Sequence, residues 1–162
     1  MKSKNWPYYS NEEIKKVVKV LKSGKVNYWT GNECSNFEKL FAQKFNLNHC
    51  IAVANGTVAL EAALKCLNLK KYDEVLVPCK SYQSSASAIV SAGGKPVFCD
   101  IDFNSQNIEI NDLKKKISDK TKAIVCVHLG GWPCDMMNIM KIAKQNNLFV
   151  IEDCSQAHGA KI

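Results

Sequence analysis

The chain has 162 residues, of which 46% are hydrophobic and 23% charged, so it can bury a core and is not of a disordered type. Its net charge of +7 comes wholly from lysine, because the sequence contains no arginine. Nucleic-acid modules usually combine lysine with arginine and clustered aromatic residues, so we expect no nucleic-acid partner.

Targeting signals and metal motifs are missing from the sequence. No apolar run approaches the roughly 18 residues that cross a bilayer, and residues 1–7 lack the apolar stretch of a secretory signal. We therefore expect a cytoplasmic protein with no membrane partner. The eight cysteines include no Cys-x-x-Cys pair. We expect reduced thiols that act as small apolar residues, and no metal site.

The amino-terminal part predicts two helices joined by a loop. Ser10 and Glu13 form a capping box, which predicts an amphipathic helix to about Ser23 that ends at Gly24. Residues 25–31 predict a loop with exposed aromatic side chains. Helical spacing of four apolar residues then predicts a second helix that buries them in the core: Phe37, Leu40, Phe41 and Phe45.

After Asn48, short apolar runs typical of β-strands alternate with helical patterns. The predicted strands are 50–54, 74–78, 96–101, 123–127 and 148–151, and the predicted helices are 57–67, 83–92, 111–117 and 136–146. This alternation predicts an α/β fold in which helices sandwich a mostly parallel sheet. Open sheets of this kind bind ligands at the carboxyl ends of their strands, where the polar clusters of this sequence fall.

Gly56 and Thr57 lie between the first predicted strand and a helix. Gly56 lets backbone N–H groups approach an anion, and Thr57 can cap the helix and donate its hydroxyl. The turn therefore fits a phosphate, although an ordinary turn with a helix cap explains it equally well. The sequence contains neither a Gly-x-Gly-x-x-Gly pattern nor a Walker A motif, which argues against a nucleotide cofactor.

Asp153 directly follows a buried apolar run, so its carboxylate needs a cationic or hydrogen-bonding partner. A pyridinium nitrogen is one such partner. Glu152 should point to the opposite side of the strand, and Gln156 comes one tight turn later. Tyr82 lies shortly after the strand predicted at 74–78 and can stack on a flat ring. The alternative is a buried tyrosine with a satisfied hydroxyl.

Two histidines fall in the same predicted clusters. His128 ends a strand, before a turn at Gly130 and Gly131 and a helix capped by Asp135. It either approaches a ligand or is buried in the hydrogen bonds of the turn. We expect His158 to have an orienting or structural role.

Seven stretches resemble, in order and spacing, the signatures of the DegT/DnrJ/EryC1/StrS aminotransferases, from about residue 6 to residue 162. They are Gly31 with Phe37 and Glu38; 54–60; 78–82; 93–98 with Asp100 and Asp102; 121–124; 128–130 with Pro133, Asp135 and Met136; and 151–159. Members of this family use pyridoxal phosphate (PLP) and mostly act on sugars.

The resemblance implies the large domain of fold-type I PLP enzymes. Residues 1–33 would form an amino-terminal helix and a substrate-side loop, and residues 34–162 would form part of the PLP-binding large domain. A homodimer would transfer an amino group from glutamate or glutamine to a keto sugar, typically one linked to a nucleotide.

The resemblance also implies roles for individual residues. Those implied to bind the cofactor are Gly56 and Thr57 at the phosphate, Tyr82 on the ring face, Asp153 at the pyridine nitrogen and Gln156 at the ring hydroxyl. Those implied on the substrate side are Thr30, Gly31 and His128.

The family's Schiff-base lysine and its small carboxy-terminal domain have no counterpart up to Ile162. We therefore expect that lysine beyond Ile162, no catalytic residue in this chain, and no activity of the chain by itself. Lys161 is too close to Asp153 to be that lysine. Two alternatives are an inactive family member that binds a ligand or a partner subunit, and an unrelated Rossmann-type enzyme.

Overall fold

The computed structural model describes residues 7–161. The ends of the two predicted domains, residues 1–6 and Ile162, lie outside the described residues. By compactness the chain divides into two units, Met1–Ala52 and Val53–Ile162. The predicted domain boundary at residue 33 stays a prediction. No helix among residues 7–161 has the length and apolar character needed to cross a membrane.

The first unit contains helices α1 (Asn11–Ser23) and α2 (Glu33–Lys44). The predicted capping box at the start of α1 is confirmed: Glu13 N donates to Ser10 Oγ over 3.2 Å, and Ser10 N donates to Glu13 Oε2 over 2.6 Å. Gly24 ends the helix with a φ of 69°, a left-handed conformation that glycine adopts without strain.

Helix α2 forms as expected, but the prediction that its apolar residues join a core is wrong within the described chain. None of its residues is buried, and the exposed fractions of Phe37 and Leu40 are 53% and 65%. The aromatic rings pack along the helix instead, with centroids 5.6 Å apart for Phe37 and Phe41 and 4.6 Å apart for Phe41 and Phe45. Helical spacing identified the apolar stripe and could not show what covers it.

The second unit is a four-stranded parallel sheet in the order β2-β1-β3-β4. Its strands are β1 (Glu74–Pro78), β2 (Lys95–Cys99), β3 (Thr121–Val127) and β4 (Phe149–Asp153). Its helices are α3 (Gly56–Lys65), α4 (Ser84–Ser91), α5 (Ile110–Lys116) and α6 (Met136–Asn146). The predicted α/β class and the parallel sheet are confirmed.

Helices cover both faces of the sheet, because successive side chains of a buried strand point to opposite sides. Val75 and Val77 of β1 pack with α3 and α4, whereas Leu76 between them packs with α5 and α6. The core on the α3 side includes Leu60, Leu64, Ala88, Ile89 and Val125, and the core on the α6 side includes Leu113, Ile124, Cys126, Ile139 and Ile142.

The predicted strand at 50–54 is wrong. These residues are irregular, and the exposed fractions of Ile51 and Val53 are 80% and 41%. No other strand among residues 7–161 pairs with them, and Ala52 N instead donates to Glu38 Oε1 over 2.9 Å. An apolar run becomes a strand only where another strand satisfies its backbone.

Candidate active site

A cavity of about 290 Å³ opens in the second unit, where β1, β3 and β4 end. It brings together all five residues predicted to bind the cofactor, and His128 as well. Its lining consists of Gly56, Thr57, Ser81, Tyr82, Ser84, Val127, His128, Leu129, Asp153, Ser155 and Gln156.

The N-terminus of α3 faces this cavity with free donors. Asn55, not Thr57, caps the helix: its side-chain oxygen accepts from Val58 N over 3.0 Å. The prediction of a Thr57 cap is wrong because the helix already begins at Gly56. Among residues 7–161, the backbone N–H groups of Gly56 and Thr57 and the Thr57 hydroxyl have no hydrogen-bond partner. Such a helix end attracts an anion.

Gly56 packs closely against Ser155. A Cβ at this position would lie 3.1 Å from Ser155 Oγ, tighter than ordinary van der Waals contact. The absence of a side chain therefore lets the α3 N-terminus and the segment after β4 meet at one wall of the cavity.

Asp153, the last residue of β4, keeps one oxygen unengaged. Its Oδ1 accepts from Ser155 N over 3.1 Å and from Ser155 Oγ over 2.6 Å. Within residues 7–161 its Oδ2 has no partner. The carboxylate is therefore oriented from one side while the other oxygen can accept from a cation or a donor in the cavity. Ser155 was not among the predicted site residues, although a serine two residues after an aspartate is a known turn signal.

Gln156 is held by the turn between β3 and α6. Its Oε1 accepts from Gly130 N over 2.7 Å, which leaves its amide N–H groups as donors. The turn is a single 3-10 turn, Leu129–Gly131, with φ values of 62° at Gly130 and 84° at Gly131. The predicted glycine turn is confirmed.

His128 borders the cavity and is 5% exposed. Its Nδ1 accepts from Cys134 N over 3.0 Å, so the ring proton lies on Nε2, which is 3.0 Å from Glu152 Oε2. Both ring nitrogens are thus engaged inside the protein. His128 is thus buried in turn hydrogen bonds and also lines the cavity, and its substrate-side role stays a prediction. Glu152 lies outside the cavity lining as expected.

His128, Glu152 and Cys154 place three potential metal ligands within 4.8 Å of one another. A metal at His128 Nε2 would require the ring to lose its remaining proton, because Nδ1 already accepts from a backbone N–H. Burial and the carboxylates of Glu152 and Asp153 also raise the pKa of the Cys154 thiol. These groups suit hydrogen bonding, and we assign no metal to them.

Tyr82 is not a buried tyrosine, because 79% of it is exposed at the cavity rim. Helix α4 begins two residues after Tyr82, and Ser81, just before Tyr82, has its Oγ 2.7 Å from the Oγ of Ser85 in that helix. Ser81 and Ser84 also line the cavity and were missed in the sequence. Their signal was weak, because serines at the start of a helix are common caps.

Thr30 and Gly31 belong to the first unit, where both stabilise the loop 25–31. Thr30 N and Oγ1 each donate to Asn27 Oδ1 over 3.0 Å. A Cβ at Gly31 would lie 2.5 Å from the carbonyl oxygen of Lys25, so only glycine fits. Their substrate-side role stays a prediction.

Neither a lysine nor His158 lines the cavity within the described chain. Lys161 is exposed, as expected, and so is His158.

Solved structures and curated proteins resemble this chain closely. The aminotransferase from Psychrobacter cryohalolentis is 47% identical with a TM-score of 0.93, over 96% of this chain and 40% of that one. A GDP-4-keto-6-deoxymannose-3-dehydratase with a trapped PLP-glutamate geminal diamine is 29% identical with a TM-score of 0.86, over 95% and 41%. GDP-perosamine synthase of Escherichia coli O157:H7 is 47% identical over 131 residues, 81% of this chain and 36% of that protein.

The chain spans 36–42% of the length of three curated relatives that it matches. Residues 7–162 match the DegT/DnrJ/EryC1/StrS aminotransferase family. The matched stretch takes in the whole cavity lining, and the fold is that of the large domain of fold-type I PLP enzymes. The chain therefore belongs to the DegT/DnrJ/EryC1/StrS aminotransferase family.

Proposed function

We propose that this chain forms the cofactor-binding part of a PLP-dependent aminotransferase that transfers an amino group from glutamate or glutamine to a nucleotide-linked keto sugar. One observation carries the proposal: the cavity gathers unpaired groups that match the three parts of PLP. They are the free N–H groups at the start of α3, the exposed ring of Tyr82 and the free oxygen of Asp153.

The residues fit the cofactor without a cationic clamp. Gly56 and Thr57 would hold its phosphate with neutral donors at the positive end of a helix dipole. Tyr82 would cover one face of the ring. Gln156, whose oxygen is bound to Gly130, would donate its amide to the ring hydroxyl.

Asp153 would hold a proton on the pyridine nitrogen. Ser155 fixes one carboxylate oxygen, so the other is directed without further ordering. The bound cofactor supplies an electron-withdrawing ring that stabilises negative charge on the carbon bearing the amino group. The part of this chain in the reaction is then to bind, orient and keep that ring protonated.

The relatives support the substrate class. GDP-perosamine synthase, named for an amino sugar on a nucleotide, is 47% identical. The trapped PLP-glutamate species in a related structure supports glutamate as the donor. That relative is named a dehydratase, but at 29% identity it resembles this chain less than the aminotransferase at 47% does. Amino transfer is therefore the favoured reaction.

The chain by itself should bind PLP without a covalent bond and should not catalyse transfer, because no lysine lines the cavity among residues 7–161. The whole protein is proposed to act as a homodimer, which rests on the family resemblance, and in the cytoplasm, as the sequence led us to expect. The second candidate is an inactive family member that binds a ligand or a partner subunit, and the observation that favours it is the absence of a lysine from the cavity lining among residues 7–161.

Reductive trapping tests the proposal. PLP should bind the chain weakly, and borohydride followed by mass spectrometry should show no preferred lysine among the 22 present. Stoichiometric labelling of one lysine would contradict non-covalent binding. The whole protein with PLP, glutamate and a GDP-linked keto sugar should release 2-oxoglutarate. Cofactor binding without release from any amino donor would favour the second candidate.

A further inference from the structure

Ser84 is a buried polar residue at the cavity with no partner inside the protein. It is the first residue of α4, is 8% exposed, and borders the cavity. Its hydroxyl makes no hydrogen bond with any residue of the described range 7–161. Its neighbour Ser85 is 1% exposed, and its Oγ lies 2.7 Å from Ser81 Oγ. Of two adjacent serines, one is satisfied internally and the other is open.

The hydroxyl of Ser84 is not sealed inside the protein. Within residues 7–161, no fully buried side-chain nitrogen or oxygen lacks a partner, so Ser84 Oγ must retain some contact with open space. The cavity is the open space that Ser84 borders. Because this hydroxyl reaches open space and no residue of the described range pairs with it, it is available to donate a hydrogen bond to a ligand in the cavity.

The backbone at this point is also an open donor. Gln83, which precedes α4, makes no side-chain cap, and Ser84 N has no partner in the described chain. Hydrogen bonding from the backbone resumes at Ser85, whose N donates to Tyr82 O over 3.1 Å. Ser84 therefore presents an N–H and an O–H at the positive end of an eight-residue helix.

Two helix N-termini thus line the same cavity. Helix α3 packs against α4, and Gly56 and Thr57 of α3 line the cavity together with Ser84. No lysine belongs to this part of the described lining, and the chain contains no arginine, so what these residues offer an anion is neutral donors and helix dipoles.

We propose that Ser84 binds the phosphate of the cofactor from the α4 side, donating from Oγ and N to phosphate oxygens while the start of α3 donates to the others. This assignment rests on the proposed function, because it takes PLP as the ligand. It predicts that Ser84 recognises the phosphate and not the ring.

The test compares a ligand pair that differs only in the phosphate. Pyridoxamine phosphate and pyridoxamine lack the aldehyde, so neither reacts with the surface lysines. Calorimetry of the whole protein and Ser84→Ala should show pyridoxamine phosphate binding about tenfold weaker in the variant, since a hydrogen bond to a charged group is lost. The affinity for pyridoxamine should stay within about twofold.

Matched variants separate this effect from misfolding. Ser87→Ala makes the same change one turn later on α4, outside the cavity lining, and should leave both affinities unchanged. Ser84→Asp should keep the helix stable, because an acidic residue suits its first turn, yet should nearly abolish binding of pyridoxamine phosphate by charge repulsion.

Each remaining outcome counts against the assignment. If Ser84→Ala lowered the affinities for both ligands equally, the Ser84 hydroxyl would lie at the ring. If it changed neither affinity, Ser84 would not contact the ligand. If the wild-type protein bound both ligands equally, the starts of α3 and α4 would not bind the phosphate, although a site for the ring would remain. A wild-type protein that binds neither would overturn the proposed function itself.

Discussion

The two ends of the sheet use similar polar groups in opposite ways. At the amino end, the Glu74 carboxylate accepts from Lys95 Nζ over 3.0 Å and from Ser118 Oγ over 2.7 Å. At the carboxyl end, the Asp153 carboxylate has a partner on one oxygen only, and the nearby helices begin with free donors. One end is internally satisfied and the other is open toward a cavity.

This difference separates groups that stabilise the fold from groups available to a ligand. A buried or half-buried polar group left open lowers stability, so its persistence at one end of the sheet indicates a function. Removing a group from the open end should therefore change binding or catalysis with little effect on stability. At the closed end we expect the reverse.

Asp153→Asn should have the largest effect. The amide keeps an acceptor for Ser155 but removes the charge that would hold the pyridine nitrogen protonated. Amino transfer by the whole protein should fall about a hundredfold or more, with the free energy of unfolding changed by about 0.5 kcal/mol or less. Steady-state kinetics and urea unfolding measure the two quantities.

Asp119→Asn is the matched control for this change. Asp119 is exposed and lies outside the cavity lining, so the same loss of a carboxylate there should leave kcat unchanged. Near-normal turnover of Asp153→Asn would show that Asp153 is not the partner of the ring nitrogen. A large loss of stability would instead place Asp153 with the structural groups.

Asn107 tests the distinction between groups that stabilise the fold and groups available to a ligand. Its side chain is hydrogen-bonded within the protein, yet it lies at the carboxyl end of the sheet, beside the cavity. It is 3% exposed, donates from Nδ2 to Trp132 O over 2.9 Å and accepts from Leu129 N over 3.1 Å. It thereby clamps the turn that carries His128. Asn107→Ala should lower the free energy of unfolding by about 2 kcal/mol, because two backbone groups lose their partner.

The measurement is urea unfolding together with hydrogen exchange at the Leu129 amide, which should become faster. Asn104→Ala, an exposed position in the same loop, should change neither. If Asn107→Ala has the same free energy of unfolding as the wild type, water replaces the amide. The hydrogen bonds of Asn107 are then not needed to hold the turn.

The sequence predicted the parts of the fold that depend on local patterns. The capping box of α1, the limits of β1 and α6, and the glycine turn after His128 follow from residues within a few positions of one another. Asp153 was placed correctly for the same reason, since a charge at the end of an apolar run marks a strand end.

The failures needed information on distant residues. The segment 50–54 has strand composition but no pairing strand, and Phe37 has helical spacing but no cover in the described chain. Ser84 and Ser155 were missed because a serine is ordinary until its partner is known. Ser85 is satisfied by Ser81, whereas Ser84 is open, and nothing local distinguishes them.

Glu74→Gln should give the smallest effect and tests the closed end directly. The Ser118 hydroxyl, followed by Lys95, holds the pKa of Glu74 below its usual 4.5. A carboxyl whose pKa is lowered by folding stabilises the protein above its unfolded-state pKa, and this contribution disappears as pH falls through the folded-state value. The free energy of unfolding of the wild type should exceed that of the variant by about 1 kcal/mol at pH 7. This difference in stability should shrink below about pH 4.5.

Urea unfolding at pH 7 and at about pH 3 measures this gap. Lys95→Met provides a second comparison. Lys95 lowers the pKa of Glu74 less than Ser118 does, and its side chain is 63% exposed. Its replacement should therefore lower the free energy of unfolding less than Glu74→Gln does. An equal gap at both pH values would mean that the Glu74 charge contributes nothing. The amino end would then be held by neutral hydrogen bonds, and the contrast between the two ends would lie in pairing rather than in charge.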